Sequence, residues 1–179
     1  MNSINIEIAG KQDSEVIREI YQTAFPEEES AMEAKMAVAL LAEKTIPEIL
    51  SLVAREIEAT LGHVAFSPVK IENNEPCKAS ILAPLAVHPE HQQKKVGSRL
   101  IESGLEKLKE AGGNIVFVYG DPEFYGKFGF HADTAGDFPA PFDLEYPFGW
   151  QALILKDWSD KTTPAVTSCV SALSDPDLW

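Results

Sequence analysis

The sequence predicts an α/β (α+β) fold: a mixed central sheet of about six to seven strands with helices on both faces. Three observations lead there. Residues 80–87, SILAPLAV, form a nearly continuous apolar run, which suits a central strand covered on each side. Residues 96–109 place Val96, Leu100, Ile101, Leu105 and Leu108 on one helical stripe, opposite Arg99, Glu102, Glu106, Lys107 and Lys109. Residues 114–119, NIVFVY, then read as a second buried strand. Residues 81–119 are therefore a strand, helix, strand unit, a crossover that requires parallel strands.

The other elements follow in chain order. Residues 5–9, NIEIA, alternate polar and apolar as a half-buried strand does. Asp13 or Ser14 can cap a helix whose apolar positions, Val16, Ile17, Ile20, Tyr21 and Ala24, recur at helical spacing until Phe25-Pro26. EEESAMEAKMAVALLAEK begins with acids and ends in lysine, the charge order that complements a helix dipole. Residues 49–55 and 60–71 are strand candidates joined by a short charged turn. Asn-Asn and Pro in IENNEPCK supply turn chemistry before the central strand. Gly112-Gly113 ends the long helix. PEFYGKF, residues 122–128, is a short helix opened by Pro. GFH, an aromatic excursion (DFPAPFDLEYPF) and a last strand, GWQALIL, follow. Residues 157–179 form a polar tail, ordered at its apolar patches, residues 166–170 and 178–179.

At 179 residues the chain is long enough to bury a core without disulfides or metal. Cys77 and Cys169 lie far apart without CxxC spacing and read as two reduced thiols. No stretch reaches the ~18 apolar residues of a membrane helix, and the N-terminus lacks a signal pattern, so a cytoplasmic protein with no membrane partner is expected. With 28 acidic and 15 basic side chains the net charge is −13, which disfavours nucleic acid as a partner and mildly favours cationic ones such as amines. The four histidines show no metal spacing, and no metal is expected.

The chemistry concentrates between the central strand and the long helix. Residues 87–97, VHPEHQQKKVG, end in the loop's single glycine, Gly97. A strand, loop, helix junction leaves backbone amides unpaired at the positive end of the helix dipole, a ready anion site. On position alone, this is either a phosphate cradle or an ordinary polar connection.

LAPLAVHPEHQQKKVGSRLIESGLEKLKEAG resembles the signature of the GNAT superfamily of acyl-CoA-dependent N-acetyltransferases, in which a strand ending V-x-P leads to Q/R-x-x-G-x-G/A and a helix. Gln92 and Gly97 match, and Lys95 stands where the first glycine is expected. Tyr125-Gly126-Lys127-Phe128-Gly129-Phe130 is similar to the superfamily's Y-x-k-x-G-F segment. Within the superfamily, GHVAFSPV, GDPEFYGKFGF and the FGWQALIL ending resemble the YhbS-like branch of bacterial predicted N-acetyltransferases.

The resemblance implies one GNAT-like domain over residues 1–156, followed by the tail at 157–179, and a central parallel strand pair that splays apart. It implies acetyl-CoA as cosubstrate, with the pyrophosphate facing Gln92, Gln93, Lys94, Lys95, Val96, Gly97 and Ser98, and the pantetheine arm pairing along Leu85, Ala86 and Val87. Pro84, without an amide hydrogen, is compatible with an interrupted ladder there. Tyr125 matches the tyrosine that protonates the departing CoA sulfur in many members; a phenol of pKa ~10 can donate at neutral pH. The alternative reading of Tyr125 is a core aromatic between Phe124 and Phe128. No base stands out among Glu75, His63, His88 and Glu123, so deprotonation of the acceptor through water, or an acceptor that arrives partly neutral, is expected. His131 is read as a partly buried structural residue that could instead line an acceptor channel. The expected activity is acetyl transfer to a primary amine of a small molecule or protein, by a monomer or homodimer. The alternative is a non-catalytic acyl-CoA-binding domain of the same fold.

Overall fold

Thirteen consecutive residues of β3 (Ala59–Ile71) set the frame, because their side chains alternate between two differently covered faces. The computed structural model describes residues 3–179. They cluster into two compact units, residues 1–66 with 84–104 and residues 67–83 with 105–179. The strands follow the order β1-β2-β3-β4-β5-β6 in a mixed sheet, with β7 added to β3.

In the first unit, β1 (Asn5–Ile8) pairs antiparallel with β2 (Leu50–Glu56), and β2 with β3. Helices α1 (Ser14–Ala24) and α2 (Glu27–Ala42) cover one sheet face. Ile17, Ile20 and Tyr21 of α1 and Ala34 and Ala37 of α2 pack with Val53 of β2 and Ala86 of β4 (Ala79–Val87). The opposite face receives the first turns of α3 (Val96–Glu110). A Cβ built on Gly62 would stand 3.1 Å from Leu100, and one on Gly104 only 2.1 Å from the Phe66 ring. Gly104 is thus a helix-interior glycine whose conformational cost, about 1 kcal/mol, is offset by letting Phe66 lie against the helix backbone.

Asp13 does not cap α1 with its side chain, contrary to the sequence expectation. Its carboxylate accepts the Gly10 amide at 2.8 Å and pairs with Arg55, which also holds Glu7 at 3.0 Å. Asp13 is buried, and the guanidinium compensates its charge more fully than a cap would.

In the second unit, β4 and β5 (Ile115–Tyr119) pair in parallel from Ala79/Ile115 to Leu82/Val118, as the crossover pattern predicted. β6 (Trp150–Ile154) joins β5 antiparallel. Asn114 links the three strands: its Oδ1 accepts the Lys78 amide at 2.8 Å and its Nδ2 donates to the Lys156 carbonyl at 2.9 Å. The aromatic excursion divides. Phe138 and Trp150 are buried against Phe117, whose ring stacks on Trp150 at 4.9 Å, while Tyr146 and Phe148 are exposed.

Within residues 157–179, β7 (Thr167–Ser168) pairs with Ile71 and Lys70. Trp179 packs on Tyr119 and Trp150. Asn74, buried at the β3–β4 turn, accepts the Thr162 amide at 3.1 Å and the Trp158 indole N–H at 3.3 Å. These bonds and rings give the polar tail more fixed points than its two apolar patches. Among the described residues, no helix is long and apolar enough to cross a membrane.

Candidate functional site

The stretch that joins β4 to α3 begins with a stiff turn. Pro89–His91 form one turn of 3-10 helix; the His88 amide donates to the Leu61 carbonyl at 2.8 Å and the His91 amide to the His88 carbonyl at 2.8 Å. The Gln92 side chain reaches back to the Val87 carbonyl at 3.1 Å, tying the turn to the end of β4. Of the strand residues singled out from sequence, Ala86 points into the α1–α2 core, and Leu85 and Val87 are half-buried.

The next residues carry an unusual backbone. Gln93 and Lys95 both lie in the left-handed region, at φ 62° and 64°, while Lys94 between them does not. Such alternation in the sign of φ turns successive N–H groups towards one side, as in the nests that bind anions. Lys95, which stands at the signature's first glycine position, therefore keeps the backbone conformation that glycine favours, at a cost of about 1–2 kcal/mol. The first α3 amide with a partner among the described residues is that of Arg99, which donates to the Lys95 carbonyl at 3.0 Å. The amides of Val96, Gly97 and Ser98 ahead of it are the orphan donors of a helix N-terminus. A Cβ on Gly97 would meet only Val87, at 3.6 Å, so the chain's own packing does not demand glycine there. An external ligand that approaches the backbone closely would.

The charge fits an anion as well. Lys94, Lys95 and Arg99 are exposed and crowd one short segment of a chain with net charge −13. The Lys94 ammonium is held by the Glu90 carbonyl at 2.9 Å.

Lys95→Gly separates backbone from charge. The loop conformation is retained and stability changes by no more than about 1 kcal/mol, because relief of strain is offset by glycine's entropy. Affinity for a polyanionic ligand is expected to fall about two- to fivefold, the worth of one exposed ammonium, and calorimetry reads it. A gain in affinity would show that the side chain obstructs the cradle.

Tyr125 lies in the second unit, on α4 (Pro122–Tyr125), half-buried. Its ring rests over Gly120, where a Cβ would come within 2.6 Å, and meets Phe124 and Phe130 edge-on at 5.0 and 6.0 Å. Gly129, at φ 95°, ends the following 3-10 turn in a conformation that a larger residue adopts only with strain. Buried Phe130 is thereby turned beneath the tyrosine.

The candidate bases fare differently. His63 is fully buried between the Tyr21 hydroxyl, 2.8 Å from Nδ1, and the Ser51 hydroxyl, 2.7 Å from Nε2. Burial pushes its pKa down to about 3, against the opposing pull of Asp13, so it stays neutral and is unfit to take a proton near neutral pH. His63 instead joins α1, β2 and β3 as a structural residue. Glu75 and Glu123 are exposed, and so is His131, whose backbone bridges to Ala152 with two 3.0 Å bonds. The sequence expectation of partial burial for His131 is therefore corrected: the bridge at the sheet edge fixes its backbone and leaves the ring outside.

Glu33, on α2, was not singled out from sequence. Burial, and secondarily the neighbouring Glu29 one turn earlier, push its carboxyl up to about 7. An amphipathic reading of α2 hides it among the three other acids of that helix, Glu27, Glu28 and Glu29.

His63 and Glu33 have opposite effects on stability. Histidine with a lowered folded pKa loses stability as pH falls from about 6.5 towards 3, because the unfolded chain takes the proton first. A raised carboxyl loses stability as pH rises from about 4.5 towards 7. The two slopes oppose each other between about 4.5 and 6.5, and His63 alone acts below that window. Denaturant titration is expected to show a plateau there and a drop below pH 4.5 of about 1.4 kcal/mol per pH unit from this histidine. In Glu33→Gln the plateau should tilt, with stability rising with pH throughout.

Residues 5–132 match the family described as acetyltransferase (GNAT) domain. The chain is 39% identical over 141 residues to the uncharacterized N-acetyltransferase YjhQ of Escherichia coli (strain K12), covering 76% of this chain and 75% of that one. Its structure is similar to that of the GNAT family N-acetyltransferase YhbS from Escherichia coli in complex with CoA, with TM-score 0.82 and 25% identity over 98% of this chain and 94% of that one. It is also similar to a GNAT family acetyltransferase from Brucella melitensis in complex with acetyl-CoA, with TM-score 0.72 and 27% identity over 97% and 100% of the two chains.

Proposed function

The chain belongs to the GNAT acetyltransferase family, and from that premise we propose that it transfers an acetyl group from acetyl-CoA to a primary amine. The observation that carries the reading is the backbone at residues 93–98: two left-handed non-glycine residues run into a helix N-terminus whose second residue, Gly97, leaves the approach to the amides clear. A pyrophosphate is the dianion such a cradle suits. In this reading Gln92, Gln93, Lys94, Lys95, Val96, Gly97 and Ser98 receive the pyrophosphate, mostly through backbone amides. The backbone edge of Leu85, Ala86 and Val87 pairs with the pantetheine arm as an added strand. The β4–β5 ladder covers only Ala79–Leu82, and the rest of β4, past Pro84, supplies that edge. Relatives solved with CoA and acetyl-CoA support the nucleotide's class.

Chemistry then proceeds by direct attack. The neutral amine nitrogen forms a bond to the thioester carbonyl carbon, the C–S bond breaks, and the thiolate takes the phenolic proton of Tyr125. The amine's proton leaves through water.

The test is release of CoA thiol from acetyl-CoA over a panel of small amines and lysine peptides. Amine-dependent release is the expected result. Tight binding of acetyl-CoA without release on any acceptor would favour the non-catalytic acyl-CoA-binding alternative.

A further inference from the structure

The turn that precedes the cradle carries a second feature. His88, Glu90 and His91 each offer a ligand atom, and these atoms lie within 4.8 Å of one another. We propose that this turn is a binding site for a borderline-soft divalent transition metal ion, of the Zn²⁺ or Co²⁺ class, held by two imidazoles and a carboxylate.

The backbone explains why HPEH, unremarkable as a metal motif, brings its ligands together. In a 3-10 helix, side chains three positions apart eclipse, so residues that an α-helix would offset come onto one side. His88 is the N-cap of the 3-10 turn and His91 its last residue, and their ring centroids stand 5.8 Å apart. Pro89 fixes the first turn, and the 2.8 Å bonds from the His88 and His91 amides hold both ends, so the ligands are mounted on a preformed support. His88 Nδ1 accepts the Glu90 amide at 3.3 Å, which marks that nitrogen as the unprotonated one, the form a metal requires. The bond is long and is readily exchanged for a metal. Glu90 is exposed and both histidines are half-buried, so the ion reaches the turn from solvent, and bonds of about 2.0–2.2 Å require the three side chains to close on it.

Two nitrogens and one oxygen select zinc-like ions over magnesium or calcium, which prefer all-oxygen sets. Three protein ligands leave one or more positions for water. Competing sites are weak. Burial pushes the Cys77 and Cys169 thiols up to about 11 and 12, so neither offers a thiolate at neutral pH. His63 is enclosed by Tyr21 and Ser51.

The experiment titrates the full chain, freed of metal and without nucleotide, with Co²⁺ followed by visible absorption and with Zn²⁺ followed by calorimetry. One ion per chain is expected, with ligand-field bands for Co²⁺. His88→Ala and His91→Ala should each weaken binding about tenfold or more, Glu90→Gln less, and His131→Ala not at all. Circular dichroism confirms that the variants fold. The inference is overturned if neither ion binds saturably, or if the double variant His88→Ala/His91→Ala binds as the natural chain does. Because no nucleotide is present, failure here is distinct from failure of the acetyl-CoA reading.

Discussion

Gly97→Glu is expected to abolish nucleotide binding while leaving the fold intact. The added Cβ finds ordinary contact with Val87 at 3.6 Å, so the protein itself accommodates a side chain. An acid in the first turn of α3 also interacts favourably with the helix dipole, so thermal stability should hold or rise slightly. Those same properties oppose a second anion. The carboxylate occupies the space a phosphate would take and places like charge against it, a cost of several kcal/mol. Affinity for CoA should therefore fall by at least about 10²-fold by calorimetry. Retained affinity in a folded variant would mean that the loop does not hold the pyrophosphate.

Tyr125→Phe is the second large effect. The ring's packing over Gly120 and against Phe124 and Phe130 is preserved by phenylalanine, so structure and CoA affinity should change little. In the proposed mechanism, loss of the phenolic proton removes the donor to the leaving thiolate, and kcat is then expected to fall about 10²-fold or more with KM for acetyl-CoA nearly unchanged. Acetyl thioester donors built on thiols of lower pKa should narrow the deficit, because a better leaving group needs less help. Unchanged turnover across the pH range would remove Tyr125 from this role and leave it as a packing residue.

Periodic packing was legible in the sequence. The apolar stripe of α3 and the continuous run of β4 appear where their patterns place them, because these patterns record which faces meet a core, whereas β1 forms as a strand but leaves Ile8 exposed, so its alternation marks the strand and not a buried face. What remained hidden depends on partners distant in the chain or on backbone choice. Asp13 looks like a cap until Arg55, 42 residues away, is brought to it. His63 looks like a possible base until Tyr21 and Ser51 close around its two nitrogens. The left-handed conformations of Gln93 and Lys95 have no signal in residue type, since glutamine and lysine do not favour that region. The 3-10 turn did carry one in the proline after His88, and with it the meeting of His88 and His91 could have been foreseen.

The position of Lys95 joins these points. In a glycine-poor loop the cradle depends on backbone sign alternation, and the missing glycine is replaced by a residue forced into glycine's conformation. The most direct test is a crystal structure of the chain with acetyl-CoA bound. Pyrophosphate oxygens are expected within about 3.2 Å of several backbone amides between residues 93 and 98. A pyrophosphate held elsewhere, with these amides left to solvent, would contradict it.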